Sequence, residues 1–485
     1  MKHSIIVKSS LIIALALCCS GNVCAKKSKI SAPSASAGAS AATPAPHPDY
    51  VFYFIGDGMG MGPVMATRNY MRLVRNDRDT LTMTTFPVAS WAMTYSASTP
   101  ITDSAAAGTA LSTGHKTKNG MLGMDADSTA VTSIARRLKD LGWGVGVITS
   151  VSPDDATPGA FYAHVPSRKM FYEIGCQAAE SGYDFIAGAN LRGLTDKKGN
   201  PTGLPNVFAE NKVTILHDPD SVAVTEGRVL LLAPEGTPEN NVGYTIDSIA
   251  GALTLPVMTQ LCLDRLEKNS PERFFMMVEG GNIDHALHGN DGGAAVKEII
   301  NFDQAIKIAY DFYKAHPDRT LIVITADHDT GGLALGNTRH SYAANLGLID
   351  RQRVSKEAFS DYCHSILRSR RNYTWDDMKE YLSENLGLFS AIPVGADDET
   401  RLHEAFDRCF LQRNSADEKT LYKTFSSFAV DVFELVNNAM GFGFTTGSHT
   451  GNPVPVFAIG AGSEAFRSVN NNTEIPQRIA DAIGL

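Results

Sequence analysis

Five short runs of consecutive apolar residues punctuate the chain, at 51–55, 145–149, 274–278, 321–325 and 454–459. Each is unbroken rather than alternating, the pattern of strands covered on both faces in a largely parallel sheet. Between them lie stretches of helical periodicity at 130–141, 255–267 and 296–313. Repeated strand, loop and helix predict an α/β fold, a three-layer α/β/α sandwich with a largely parallel central sheet. Ligands in such folds bind beyond the carboxyl ends of the strands, so the loops there are the place to look for chemistry.

Between 336 and 444 strand signals fade and helical ones dominate. Thr374 ahead of Trp375, Asp376 and Asp377 has the form of a capped helix start, and 419–440 is a long stretch of helical periodicity. An inserted, mainly helical subdomain is expected over 336–444, shaping access to the site or subunit contacts.

At the other end, Lys2 and Lys8 precede nine apolar residues at 11–19, and Val23, Cys24 and Ala25 supply a cleavage site. Residues 1–25 are therefore expected to be a signal peptide and the protein to be exported, periplasmic or secreted. Nine apolar residues are too few to span a bilayer. A lipid anchor at Cys18 or Cys19 is disfavoured by bulky Leu17. Residues 26–48, nearly all Ser, Ala, Pro and Gly after the first few, read as a flexible tether, and 49–485 as the catalytic domain.

Composition narrows the function classes. With 43% apolar residues the chain can build a large core, and no apolar run after the leader reaches membrane-spanning length. Acids outnumber bases 52 to 43, and no Lys/Arg stripe is present, which argues against nucleic-acid binding. Past the leader remain Cys176, Cys262, Cys363 and Cys409. They can form two disulfides in three ways, or stay as buried thiols.

Six segments carry residues suited to metal and phosphate. Asp57 sits among glycines after the first run, as a metal ligand or an ordinary turn. Ser104, after Asp103, opens a small-residue helix whose N-terminus favours a phosphate, unless the pair is only an N-cap. Asp155 and Thr157 offer oxygens to a hard cation, and Arg168 a fork for phosphate if it is not a surface charge. Glu279 begins a segment in which Asp284 and His288, four apart, share a helix face as zinc ligation needs. Asp327 and His328 end a strand together, and His449 lies in a flexible loop. Three carboxylates and three histidines suit two zinc ions, leaving Glu279 and Thr157 for a harder third.

In order, IGDGMG, TDSAAAGTA, DAT with Arg168 after it, EGGNIDHALH, TADHDTGG and SHTG resemble the alkaline phosphatase family, over roughly residues 50–460. The resemblance implies a phosphomonoesterase acting on small phosphate monoesters, working as a homodimer. It implies Ser104 as the nucleophile of a phosphoserine intermediate and Arg168 as the clamp on two phosphate oxygens, oriented by Asp103. Asp284, His288 and His449 would hold one Zn²⁺; Asp327, His328 and bridging Asp57 the second; Asp57, Thr157 and Glu279 a Mg²⁺, with Asp155 acting through water. His285 departs from the pairing expected with an aspartate such as Asp155, where the family carries lysine. A histidine there can draw zinc into the third site. His115, His164 and His217 match no ligand position and are expected to be structural. A phosphodiesterase or sulfatase of the same fold is the alternative, though no C/S-x-P-x-R motif is present and such phosphodiesterases usually carry threonine where Ser104 stands. An inactive zinc- or phosphate-binding module is a further one.

Overall fold

The computed structural model describes residues 47–485 apart from 76–79, 235–236, 238–239, 341, 370–371 and 415. The expected signal peptide and nearly all of the tether lie outside the described residues.

Nine strands form the central sheet: β1 (Tyr50–Gly56), β2 (Val88–Ala92), β3 (Gly144–Thr149), β4 (Phe185–Gly188), β5 (Val213–Leu216), β6 (Arg228–Leu232), β7 (Phe274–Glu279), β8 (Thr320–Ala326) and β9 (Val454–Gly460). Their order is β2-β9-β8-β1-β7-β3-β4-β6-β5. From β8 to β5 all neighbours are parallel, while β9 runs antiparallel to both β8 and β2.

The unbroken apolar runs have a direct cause in β1. Phe52 packs its ring 5.5 Å from Phe312 of the helix Gly292–Ala315. Its neighbour Tyr53 points the other way and donates to the Leu111 carbonyl, 3.3 Å away, in the helix Ser104–Thr113. Both side chains are fully buried, because helices cover both faces of the sheet. The expected three-layer α/β/α architecture is thus the one observed.

Strands β2, β4, β5 and β6 lie outside the five expected runs. Three of them hold four or five residues at one side of the sheet, too short for the pattern to stand out, and β2 at the other edge exposes Ala89 and Trp91. The helix expected over 130–141 begins only at Ile134, because the Ser133 hydroxyl accepts from the Arg136 amide and caps it there.

The 336–444 region is mainly helical, with helices Lys356–Ser369, Trp375–Leu386, Ala396–Phe406 and Ser427–Met440. Ala334–Leu335 pairs antiparallel with Phe442–Gly443, so the two ends of the region meet. Thr374 does cap its helix, in a reciprocal box with Asp377. The stretch 419–440 is not one helix: Glu418–Lys419 and Thr424–Phe425 form a hairpin, and the helix starts at Ser427. Thr420 closes the turn, its amide and hydroxyl both donating to the Lys423 carbonyl at 2.9 and 3.0 Å.

Candidate active site

The register of the sheet gathers the chemistry. Ile55 of β1 aligns with Glu279 of β7, Thr149 of β3 with the same Glu279, and Gly56 with Ala326 of β8. Asp57 and Asp327 therefore leave neighbouring strand tips side by side, next to Glu279. Because β9 is antiparallel, the loop before it starts from this same end of the sheet. His449–Thr450 then pairs with Asp329–Thr330. This short ladder draws His449 onto the loop of Asp327 and His328.

Two groups of metal-capable side chains result: Asp284, His288 and His449, and Asp57, Asp327 and His328, each with donor atoms within 4.8 Å of one another. Hydrogen bonds set the tautomers. His288 Nδ1 donates to the Gly447 carbonyl at 2.7 Å, and His449 Nδ1 to the Thr102 carbonyl at 2.8 Å. Thr330 gives its hydroxyl proton to Asp284 at 2.5 Å, so it accepts from His328 Nδ1 at 3.2 Å. All three imidazoles consequently present an Nε2 lone pair to the carboxylates, the arrangement a metal ligand needs. His288 Nε2 lies 3.4 Å from Asp284 Oδ2, and His328 Nε2 lies 3.2 Å from Asp327 Oδ2 and 3.4 Å from Asp57 Oδ1.

Burial, and after it mutual repulsion, disfavours charge on Asp57, Asp327 and Glu279. Burial, then repulsion from Asp327, Asp284 and Glu279, pushes the Asp57 carboxyl far up from its ordinary value. Burial pushes Asp327 up to about 7, with Asp284 adding to it, and Glu279 up to about 8. Five buried side-chain oxygens here, Asp57 Oδ1, Thr157 Oγ1, Glu279 Oε1, Asp284 Oδ2 and Asp327 Oδ2, have no hydrogen-bond partner among the described residues. Unpaired buried oxygens and crowded negative charge are what divalent cations neutralise, so the donor set fits metal ions.

Ser104 opens the helix Ser104–Thr113, capped by Asp103, which accepts from the Ala106 amide at 3.0 Å. Its hydroxyl lies 3.1 Å from His328 Nε2, at the edge of the second group. The run of small residues lets this helix press onto the turn Ala156–Gly159: a Cβ on Gly108 would come 3.2 Å from the Thr157 Cα. Arg168 points its two terminal nitrogens at Asp103, 3.4 Å, and Asp155, 3.0 Å, so it is no surface charge. Asp155 also accepts from Arg192 at 3.1 Å. Burial opposes its charge, yet Arg168, Arg192 and His285 hold its carboxyl below the usual range.

Comparison with known proteins decides the lineage. A family model described as alkaline phosphatase matches residues 50–193 and 238–485. The chain belongs to the alkaline phosphatase family. Alkaline phosphatase 3 of Bacillus subtilis is 30% identical over 396 residues, covering 79% of this chain and 77% of that protein. A cold-active alkaline phosphatase from a psychrophilic Shewanella superposes with TM-score 0.75 at 27% identity, over 90% of this chain and all of that one. A variant of the TAB5 alkaline phosphatase, at TM-score 0.62 and 26% identity over 90% and 98% of the chains, is described with Mg bound in its M3 site. This phosphatase therefore has family relatives along most of its length.

Against this alkaline phosphatase frame, every expected site residue reaches the same end of the sheet. Thr157 and Glu279 stand apart from the two metal-capable groups, each with its free oxygen, and the other Glu279 oxygen accepts from Thr149. His285 is buried and packs against Tyr422, ring centroids 3.8 Å apart and planes tilted by 34°. His115, His164 and His217 each bond a backbone carbonyl, of Thr113, Gly123 and Ala233, as structural histidines do. The four cysteines stand as thiols rather than disulfides among the described residues, with Cys262, Cys363 and Cys409 buried as expected and Cys176 only partly so.

Three contributors went unassigned by sequence reasoning. Thr330, inside TADHDTGG, orients both Asp284 and His328. Arg192 shares Asp155 with Arg168, and Tyr422 arrives from the helical region. The last two have no local signal, since an isolated arginine or tyrosine in a loop reads as surface.

Proposed function

We propose that this phosphatase hydrolyses phosphate monoesters through a phosphoserine at Ser104, with Asp284, His288 and His449 holding one zinc ion and Asp57, Asp327 and His328 a second. Thr157, Glu279 and Asp57 would hold magnesium, and Asp155, through water, would support it. Bound there, the ions would supply positive charge for the oxygens on phosphorus and for the Ser104 alkoxide. The observation that carries the reading is the Ser104 hydroxyl, 3.1 Å from a lone-pair Nε2 and beside unpaired carboxylate oxygens.

Ser104 Oγ, freed of its proton, forms the bond to phosphorus as the bond to the leaving alcohol breaks, and the alcohol takes up a proton. Arg168, its plane fixed by Asp103 and Asp155, faces two non-bridging oxygens. The Ser104–Thr113 helix N-terminus adds its dipole to the charge on the phosphoryl group. Water then attacks phosphorus and releases Ser104 and inorganic phosphate. Holding charge in place is most of the catalytic task.

The test is hydrolysis of a chromogenic aryl phosphate at pH 7 to 10, with EDTA and then Zn²⁺ and Mg²⁺ add-back, beside an aryl sulfate and a bis-aryl phosphodiester. Monoester turnover that EDTA abolishes and zinc restores is expected. Turnover of the sulfate or diester alone overturns the reading. Export and a homodimer belong to the same proposal; cell fractionation and sedimentation measure them. No helix among the described residues is long and apolar enough to cross a membrane.

A further inference from the structure

The helical region sends one side chain into the site that the mechanism above leaves without a role. We propose that Tyr422 is a substrate-contacting residue, its phenol hydroxyl binding a non-bridging oxygen of the phosphoryl group beside Arg168. The inference rests on the phosphomonoesterase reading and deepens it, because it names what sets the grip on phosphate.

Tyr422 stands in the turn of the hairpin Glu418–Lys419 and Thr424–Phe425. This hairpin is seated at both ends. Lys423 Nζ pairs with Asp361 at 2.9 Å and Glu357 at 3.3 Å, both on the helix Lys356–Ser369. Phe425 is buried, with the Lys356 ammonium 4.8 Å from its ring centroid. It also abuts Gly289, the residue that ends the helix of Asp284 and His288: a Cβ there would lie 3.2 Å from the Phe425 ring. The tip is thus held against the metal-bearing helix by a braced arm.

At that tip the ring packs on His285, centroids 3.8 Å apart, and meets His288 edge-on at 5.3 Å. The ring therefore lies against His288, one of the three side chains of the first metal-capable group. Burial opposes the charge of Arg168, and the nearby phenol and the carboxylates of Asp155 and Asp103 favour it, the two carboxylates by direct hydrogen bonds. Among the described residues none hydrogen-bonds to the Tyr422 hydroxyl, although the side chain is partly buried. An aromatic prop for His285 needs no hydroxyl; phenylalanine would serve as well. A neutral phenol beside a guanidinium is instead a donor for an anionic oxygen, and bonds to charged groups are the strong ones.

Tyr422→Phe in the full chain loaded with zinc and magnesium separates the two roles. Calorimetric affinity for inorganic phosphate is expected to fall by on the order of tenfold to a hundredfold, the loss of one charge-assisted hydrogen bond. KM for an aryl phosphate should rise with kcat little changed, the sign of binding lost equally from ground and transition states. Bound zinc and Tm should match the wild type. Tyr422→Ala should add a loss of stability as His285 loses its packing partner. Unchanged phosphate affinity in Tyr422→Phe, or a fall accompanied by loss of zinc, overturns the proposal. If the wild type turns over no monoester, the underlying reading fails, and phosphate binding alone still decides whether the hydroxyl is a ligand.

Discussion

The Nε2 atoms of His288 and His449 lie 3.0 Å apart, while each ring spends its Nδ1 proton on a backbone carbonyl. Two lone pairs at that distance repel each other unless a cation or a proton lies between them. Asp284 lies beside both, 3.4 Å from His288 and 3.9 Å from His449, and supplies the negative charge that makes a divalent cation the better occupant. The fold thus holds the two rings in a contact that a cation or a proton relieves.

Chelation is therefore expected to lower Tm by several degrees, and zinc to restore it, since a ligand that binds only the folded state stabilises it by mass action. Calorimetric scans with EDTA and with zinc measure this. His449→Gln should shrink the zinc-dependent part and weaken zinc binding; a variant with full zinc affinity would refute the assignment.

The two metal-capable groups are complete in histidines and carboxylates without Ser104. Ser104→Ala should therefore keep its zinc while losing turnover on the order of 10⁴-fold or more, as when a nucleophile is removed from a concerted site. Metal analysis of the purified variant and an aryl phosphate assay separate the two effects. Residual activity within tenfold of the wild type would move the nucleophile elsewhere.

Gly58 has φ +69°, and a Cβ there would sit 2.7 Å from Asp284 Oδ1 and 2.9 Å from Thr330 Oγ1. Gly58→Ala should cost about 1 kcal/mol or more in stability and weaken zinc binding roughly tenfold to a hundredfold by shifting Asp284. Gly199→Ala is the control, with φ +82° but nothing within 4 Å of its Cβ. It should lose stability alone, read by zinc titration beside thermal melts.

Glu298, on the helix Gly292–Ala315, is buried, and burial pushes its carboxyl up to about 7, against the Thr245 amide that donates to it at 2.6 Å. A carboxyl whose folded pKa is raised binds more protons in the folded state. Its stabilising contribution is full below the unfolded pKa and is lost as pH rises through the folded one. Stability should therefore decline from pH 4.5 towards 7 by an amount that Glu298→Gln removes, seen as a flatter plot of Tm against pH.

Much of the fold was legible in short-range pattern. Unbroken runs such as 51–55 marked strands because both faces of this sheet are covered, and each lengthened by only a residue or two at its ends. Strands β4, β5 and β6 escaped because four or five residues carry no period, and β2 because it exposes Ala89 and Trp91. The stretch 419–440 misled because apolar spacing shows neither the Thr420–Lys423 turn nor the new helix at Ser427.

For the site, residue type and motif order named the side chains: Asp57, Ser104, Arg168, Asp284, His288, Asp327, His328 and His449 are chemically suited to metal and phosphate wherever they fall. Only the tertiary structure decided that His288 and His449, 161 residues apart, meet at Nε2. It also decided that Thr330 orients two ligands and that a braced hairpin places Tyr422 over His285. Composition and spacing report what a residue can do; partners distant in the chain are set by strand register and by which loop packs on which, and no local pattern encodes those.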